Sequence, residues 1–177
     1  MKLSLYILAF TLFSACLYAG GGHSHHVLVR PDGTMWAWGA NDFGQLGTGD
    51  NTPSTTPVEI GSGNTWVEVS RGQFHNVALD DFGRVWAWGA NQKGQLGTSD
   101  FIGRNTPTMI PNLIGYTQVA AGAYHSVVLM KDGSIKAWGA NKSGQLGDGT
   151  TLKSNSPVTI VGFNNVQSIS AGASHTL

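Results

Sequence analysis

The chain has 177 residues, a formal net charge of zero and only 11% charged residues, against 25 glycines and six tryptophans. The neutral balance excludes the electrostatic footprint of a nucleic-acid binder and leaves no polybasic segment for an anionic membrane surface. One cysteine excludes a disulfide framework, so the 41% of residues that are apolar must hold the fold by packing.

The first element is a targeting segment. Lys2 gives a short positive start, and residues 3–15 are almost wholly apolar. That stretch is too short to span a bilayer and suits the core of a signal peptide, residues 1–19, cut after Ala19. A second reading stands beside it. Leu12-Phe13-Ser14-Ala15-Cys16 resembles a bacterial lipobox, in which Cys16 is acylated and becomes the mature N-terminus. Both readings predict an extracytoplasmic protein, and a lipid on Cys16 is the only membrane contact expected. Next comes a histidine tract, His23, His25 and His26, which can bind divalent transition metals weakly. His25 also recurs in phase with later histidines, so the tract is a weak metal candidate and no cofactor is expected.

From residue 20 to 177 the chain repeats. Trp-Gly-Ala-Asn-x-x-Gly-Gln-Leu-Gly starts at Trp38, Trp88 and Trp138, a step of 50 residues. His25, His75, His125 and His175 keep the same step, as do Gly22, Gly72, Gly122 and Gly172, and Pro57, Pro107 and Pro157. A fixed period of this size marks a repeat architecture. In the second unit residues 65–70 alternate as a strand, residues 71–74 break it, and His75, Val77 and Leu79 share a face of a second strand. Asp-Gly at 32–33 and 132–133, and Phe-Gly at 82–83, predict hairpin turns. Residues 85–89 return as a third strand, and a short fourth begins at Pro107. Four short antiparallel strands per unit is the content of a propeller blade. The chain is thus expected to be all-β, a partial β-propeller of about three four-stranded blades.

The motif Gly-x-x-His-x-x-x-Leu, then Asp-Gly, then Trp-Gly-x-Asn-x-x-Gly-Gln-Leu-Gly, then Pro, resembles the repeat of the regulator of chromosome condensation family from Gly22 to Leu177. The resemblance implies a seven-bladed ring. Seven blades at this period need about 350 residues, so the sequence is expected to be truncated at its C-terminus. An open arc and an assembly of chains are the alternatives. The family includes a nuclear nucleotide-exchange factor for a small GTPase, light receptors, ligase-associated domains and a secreted inhibitor of β-lactamase, so fold does not fix function.

The invariant phrase has a structural reading throughout. Asn91 is expected to bond its own backbone two residues on, and Leu96 to plug the loop into the core. The in-phase histidines are expected to bond backbone carbonyls. No nucleophile–base pair, zinc motif or phosphate loop stands out, and no enzyme activity is expected. The candidates for partner binding lie where the repeats differ. After Gly-Gln-Leu-Gly the loops keep their length and change identity, with Asp50 and Asn51 in the first, Phe101, Ile102 and Arg104 in the second and Lys153 in the third. Trp36 and Trp86 stand where the third unit has Lys136, which places them near a rim. The expected function is a non-catalytic scaffold that binds a protein partner through its blade loops. Guanine-nucleotide exchange on a small GTPase is the alternative by resemblance, and glycan binding through Trp36 and Trp86 is another.

Overall fold

The structure, a computed structural model, describes residues 24–163 and 165–177. The targeting segment, Cys16 and His23 lie outside the described residues. All named strands pair antiparallel in three sheets. The first blade holds β1 (His25–Val29), β2 (Met35–Gly39) and β3 (Ser54–Ile60). The second holds β4 (Trp66–Arg71), β5 (His75–Asp80), β6 (Val85–Gly89) and β7 (Arg104–Met109). The third holds β8 (Tyr116–Ala121), β9 (His125–Met130), β10 (Ile135–Gly139) and β11 (Ser154–Ile160). Within each blade the strands follow one another in chain order.

The turns behave as the Asp-Gly pairs predict. Gly33 and Gly133 both sit at φ 81°, a conformation other residues avoid. Asp32 and Asp132 each accept the backbone N–H two residues on, at 3.0 and 2.9 Å. In the second blade Asp80 takes that role, accepting from the N–H groups of Phe82 and Arg84.

The last strand differs from expectation. It starts at Arg104, with Arg104 opposite Gly89, and Pro107 lies inside it. Ser54 and Ser154 start the equivalent strands opposite Gly39 and Gly139. The register slips between Ala87 and Gly89 in β6 and at the matching positions in β2 and β10. A bulge on an outermost strand leaves room for a proline that cannot donate to the ladder.

The core lies between blades. Met35, Ala37, Leu46 and Ile60 of the first blade meet Trp66, Ala78 and Trp88 of the second. Val77, Leu79, Val85 and Leu96 of the second meet Tyr116, Val119, Val128 and Trp138 of the third. Val127, Leu129, Leu146 and Ile160 of the third meet Ile169. Neighbouring residues such as Val77 and Ala78 therefore face opposite seams, which is why every position of β5 is buried. Trp88 and Trp138 are wholly buried, whereas Trp38 is only half-buried beneath the stacked ring of His26, 5.3 Å away.

The in-phase histidines do more than bond backbone carbonyls: His75 and His125 each interact with the backbone of the next unit's histidine, as expected, but all three also bond a side chain there. His25 Nε2 reaches Asn76 Oδ1 at 2.9 Å, His75 reaches Ser126 Oγ at 3.0 Å, and His125 reaches Thr176 Oγ1 at 3.0 Å. Each partner lies in the next unit. It also donates back across the seam: Asn76 to the Gln45 carbonyl, Ser126 to that of Gln95, and Thr176 to that of Gln145. The indole N–H of Trp88 shares the Gln45 carbonyl and that of Trp138 shares Gln95. The inner strands bond too, since Val119 N–H donates to Glu68, Ala121 N–H to Ser70 and Ile169 N–H to Gln118. Many buried polar groups at the seams thus find their partners in the following unit.

Candidate functional site

Antiparallel strands put successive connections at opposite ends of a blade. The hairpin turns at 30–34, 80–84 and 130–134 lie at one end. The long loops at 40–53, 90–103 and 140–153 lie at the other, with the short bends at 72–74 and 122–124. These are the turn face and the loop face.

Each long loop is tied down by its asparagine. Asn91 Oδ1 accepts the N–H of Leu96, five residues on rather than two. Its amide donates to the carbonyls of Asp100 and Ile102, both at 3.1 Å. Gln95 Oε1 accepts from Lys93 N–H, and Leu96 fills the core with no exposure. Asn41 and Asn141 repeat the pattern with Leu46 and Leu146. The loops are also clasped by the following blade: Gly49 N–H donates to the Asn105 carbonyl, and Ser99 N–H to that of Asn155. Asn91→Ala is therefore expected to cost about 1–3 kcal/mol, the range for leaving buried polar groups unpaired. Its signature is faster amide exchange at Leu96, measured beside the urea midpoint.

The sequence candidates separate into two groups. Asn51, Phe101, Ile102, Arg104 and Lys153 lie on the loop face. Phe101 and Ile102 are 46% and 67% exposed, and Leu152, at the same phase as Ile102, is 75% exposed. The Lys153 ammonium sits 4.2 Å from the centre of the Phe101 ring, so these loops of the second and third blades form one patch. Arg104 is held by Asp100 at 2.6 Å. Burial works against the Asp100 charge, but bonds from Ile102 N–H, Arg104 and Thr98 outweigh it and keep the carboxyl below its usual range. Asp50 also serves its own loop. It accepts from Thr52 N–H and the Thr48 hydroxyl, which lower its pKa. Asn51 donates to the Asp42 carbonyl and lines an open groove of about 350 Å³ with Phe43, Gln92, Arg104 and Asn105.

Trp36 and Trp86 lie toward the turn face and do not join that patch. Trp36 donates to the Thr34 hydroxyl, and Arg30 lies 5.8 Å from its ring. Trp86 donates to Asp80 at 2.8 Å and meets Trp66 edge-on at 5.5 Å. Burial opposes ionisation of Asp80, yet the bonds from Trp86 and Arg84 hold its pKa down. His25 and His26 do not converge, because His25 is buried against Asn76 and His26 stacks on Trp38. Among the described residues no three His, Cys, Asp or Glu side chains are grouped to hold a metal.

One feature of the loop face was missed from the sequence. Phe43, Phe74 and Tyr124 form a row across three blades, with ring centres 5.0 and 6.3 Å apart. Its signal was available, since Phe74 and Tyr124 precede in-phase histidines.

Comparison with known proteins fits this geometry. The model of the regulator of chromosome condensation (RCC1) repeat matches residues 32–79, 83–129 and 132–177. The ultraviolet-B receptor UVR8 of Arabidopsis thaliana is 40% identical over 40 residues, 23% of this chain and 9% of that protein. The protein RCC2 homolog of Danio rerio is 37% identical over 46 residues, 26% of this chain and 9% of that protein. Prp20p of Saccharomyces cerevisiae, described with its binding properties to Gsp1p and histones, aligns with a TM-score of 0.72 and 22% identity. That alignment covers 86% of this chain and 40% of Prp20p. Yeast RCC1 (Prp20) bound to Kap60 gives a TM-score of 0.76 at 22% identity, over 88% of this chain and 40% of the other. The chain thus covers 40% or less of the length of each of these proteins.

Proposed function

The chain belongs to the RCC1 repeat family, and from that membership and its loop geometry we propose that it is a non-catalytic scaffold, exported from the cytoplasm, that binds a protein partner through the loop face of its blades. The observation that carries this reading is the patch formed by Phe101, Ile102, Leu152 and Lys153. Its apolar side chains are exposed while the backbone beneath them is fixed by Asn91, Asp100 and the neighbouring blade. Rigid loops with aromatic and cationic anchors lose little entropy on binding. The sequence of residues 1–19 supports export. The second reading is the one the family resemblance implies, in which the loops engage a small GTPase and drive nucleotide exchange; Prp20p, similar in fold, is described as binding another protein, Gsp1p.

A quantitative interaction screen with the exported protein separates the two. Phe101→Ser with Lys153→Glu is expected to weaken the partner at least about tenfold, the scale of a hot-spot loss, without lowering the melting temperature. Trp36→Ala on the other side should leave binding unchanged. Partner binding insensitive to the loop variants would overturn the loop-face reading. Accelerated GDP release from a small GTPase would replace the scaffold with an exchange factor. A fusion of residues 1–24 to alkaline phosphatase, which is active only outside the cytoplasm, tests export separately.

A further inference from the structure

The seam histidines carry one proton each, and the geometry says where. Ser126 has a single hydroxyl hydrogen and donates it to the Gln95 carbonyl at 2.8 Å. It can therefore only accept from His75, so the His75 proton is on Nε2. The same logic places the proton on Nε2 of His125, because Thr176 donates to Gln145. Asn76 offers His25 its carbonyl oxygen while its amide donates to Gln45, with the same result. The other ring nitrogen, Nδ1, is buried without a partner in all three histidines. A second proton can go nowhere else.

We propose that this histidine ladder is a proton-sensitive latch, in which protonation at Nδ1 opens the blade seams and thereby dismantles the loop face. An imidazolium formed there would carry its new N–H at a buried, unpartnered position, and the backbone of the next unit's histidine, which favours the charged form of His75 and His125, does not offset the burial of that charge. The charged and titratable groups around it are mostly cationic. Arg71, whose guanidinium bonds the His25 carbonyl, and His26 lie by His25. His75 lies between His125 and His25, and His125 faces His175. Glu68 on the inner strand bonds Val119 N–H rather than a histidine ring. Opening a seam would give Nδ1 access to water. It would also release the clasps that Asn105 and Asn155 place on the loops of the preceding blades, since those cross the same seams.

The sign follows from linkage. Burial holds His25 at about 4, His75 at about 3 and His125 at about 4, against 6.5 in an exposed ring. The unfolded chain therefore binds more protons than the folded one below pH 6.5. The stability is fully present above that value and is lost as the pH falls toward the folded pKa values. The carboxylates that pair with loop and turn groups start from 3.8 and are lowered, so they act only in stronger acid. Glu68, raised by burial, acts in the opposite direction and softens the slope.

Urea unfolding of the full chain at pH 7.5, 6.5, 5.5 and 4.7 tests the latch. Each histidine should raise the unfolding constant by up to about tenfold per pH unit, approaching about a thousandfold for three. His75→Gln keeps an N–H donor for Ser126 and should remove one proton from this dependence. Imidazole ¹⁵N spectra need no variant, and should show three rings protonated only on Nε2 down to pH 5. Ser99 and Gly49 amide exchange, corrected for intrinsic rate, should rise at pH 5. A flat stability between pH 7.5 and 5.5 would overturn the proposal. So would rings titrating near 6.5 in the folded protein, or a His75→Gln slope equal to that of the original chain.

Discussion

Trp138→Ala is expected to lower stability by about 3–5 kcal/mol, the cost of deleting a large buried aromatic side chain. Trp138 has no exposure and sits among Val77, Leu79 and Leu96 of the preceding blade. The cavity cannot collapse easily, because both walls are sheets with their own ladders. Trp138→Phe separates two contributions. It keeps most of the packing and loses the 2.9 Å bond to the Gln95 carbonyl, a change of about 1 kcal/mol. Trp38→Ala is the internal control, since the same residue in the half-buried first position should cost less than half as much. Thermal and urea denaturation of the three variants check the order. Equal losses at Trp38 and Trp138 would contradict the seam description.

Gly122→Ala should be nearly as damaging, at about 3 kcal/mol, the upper end for overpacking. The residue does not have a positive φ, so the usual argument for glycine does not apply. Space is what forbids a side chain. A Cβ at Gly122 would meet the His125 ring and lie 2.5 Å from the Gly172 carbonyl. Gly72 has the same surroundings, with His75 and the Gly122 carbonyl. The ring could move only by breaking its bond to Thr176, and the carbonyl belongs to the next unit. The damage should therefore appear at the seam, as faster amide exchange at Ile169 and Ala121, with the Asp132–Gly133 turn unaffected. A stable Gly122→Ala protein with unchanged exchange would mean that the units do not approach this closely.

Much of the fold was legible because it is written at a fixed interval. The 50-residue step, the Asp-Gly turns and the alternation in β4, β5 and β6 place the strands and their pairing. The early start of β7 was not legible, because the bulge opposite Gly89 hides the pairing of Arg104. The seam bonds were hidden for another reason. They join a histidine to the residue 51 positions on, and that residue is Asn76, Ser126 or Thr176 in turn. Three different side chains satisfy one requirement, a group that accepts from a ring nitrogen and donates to a carbonyl. A search for identity at the repeat interval passes over them. The division of the candidates was equally invisible. Phe101 and Trp86 are 15 residues apart in the chain but belong toward opposite faces, and only the strand order shows it.

The seam has a direction. In every case the earlier unit contributes the imidazole and the glutamine carbonyl, and the later one contributes the residue after its own histidine. Where the later indole is enclosed it adds its N–H to the same carbonyl. All junctions therefore share one plug and one socket. Genetic recombination that adds, removes or swaps a whole unit of 50 residues leaves every junction matched, whichever units end up adjacent. A slip of one codon within a unit spoils two junctions at once. Such a chain can change its number and order of blades, and with them the set of loops it displays, far more readily than it can tolerate a single inserted residue between His75 and Trp88.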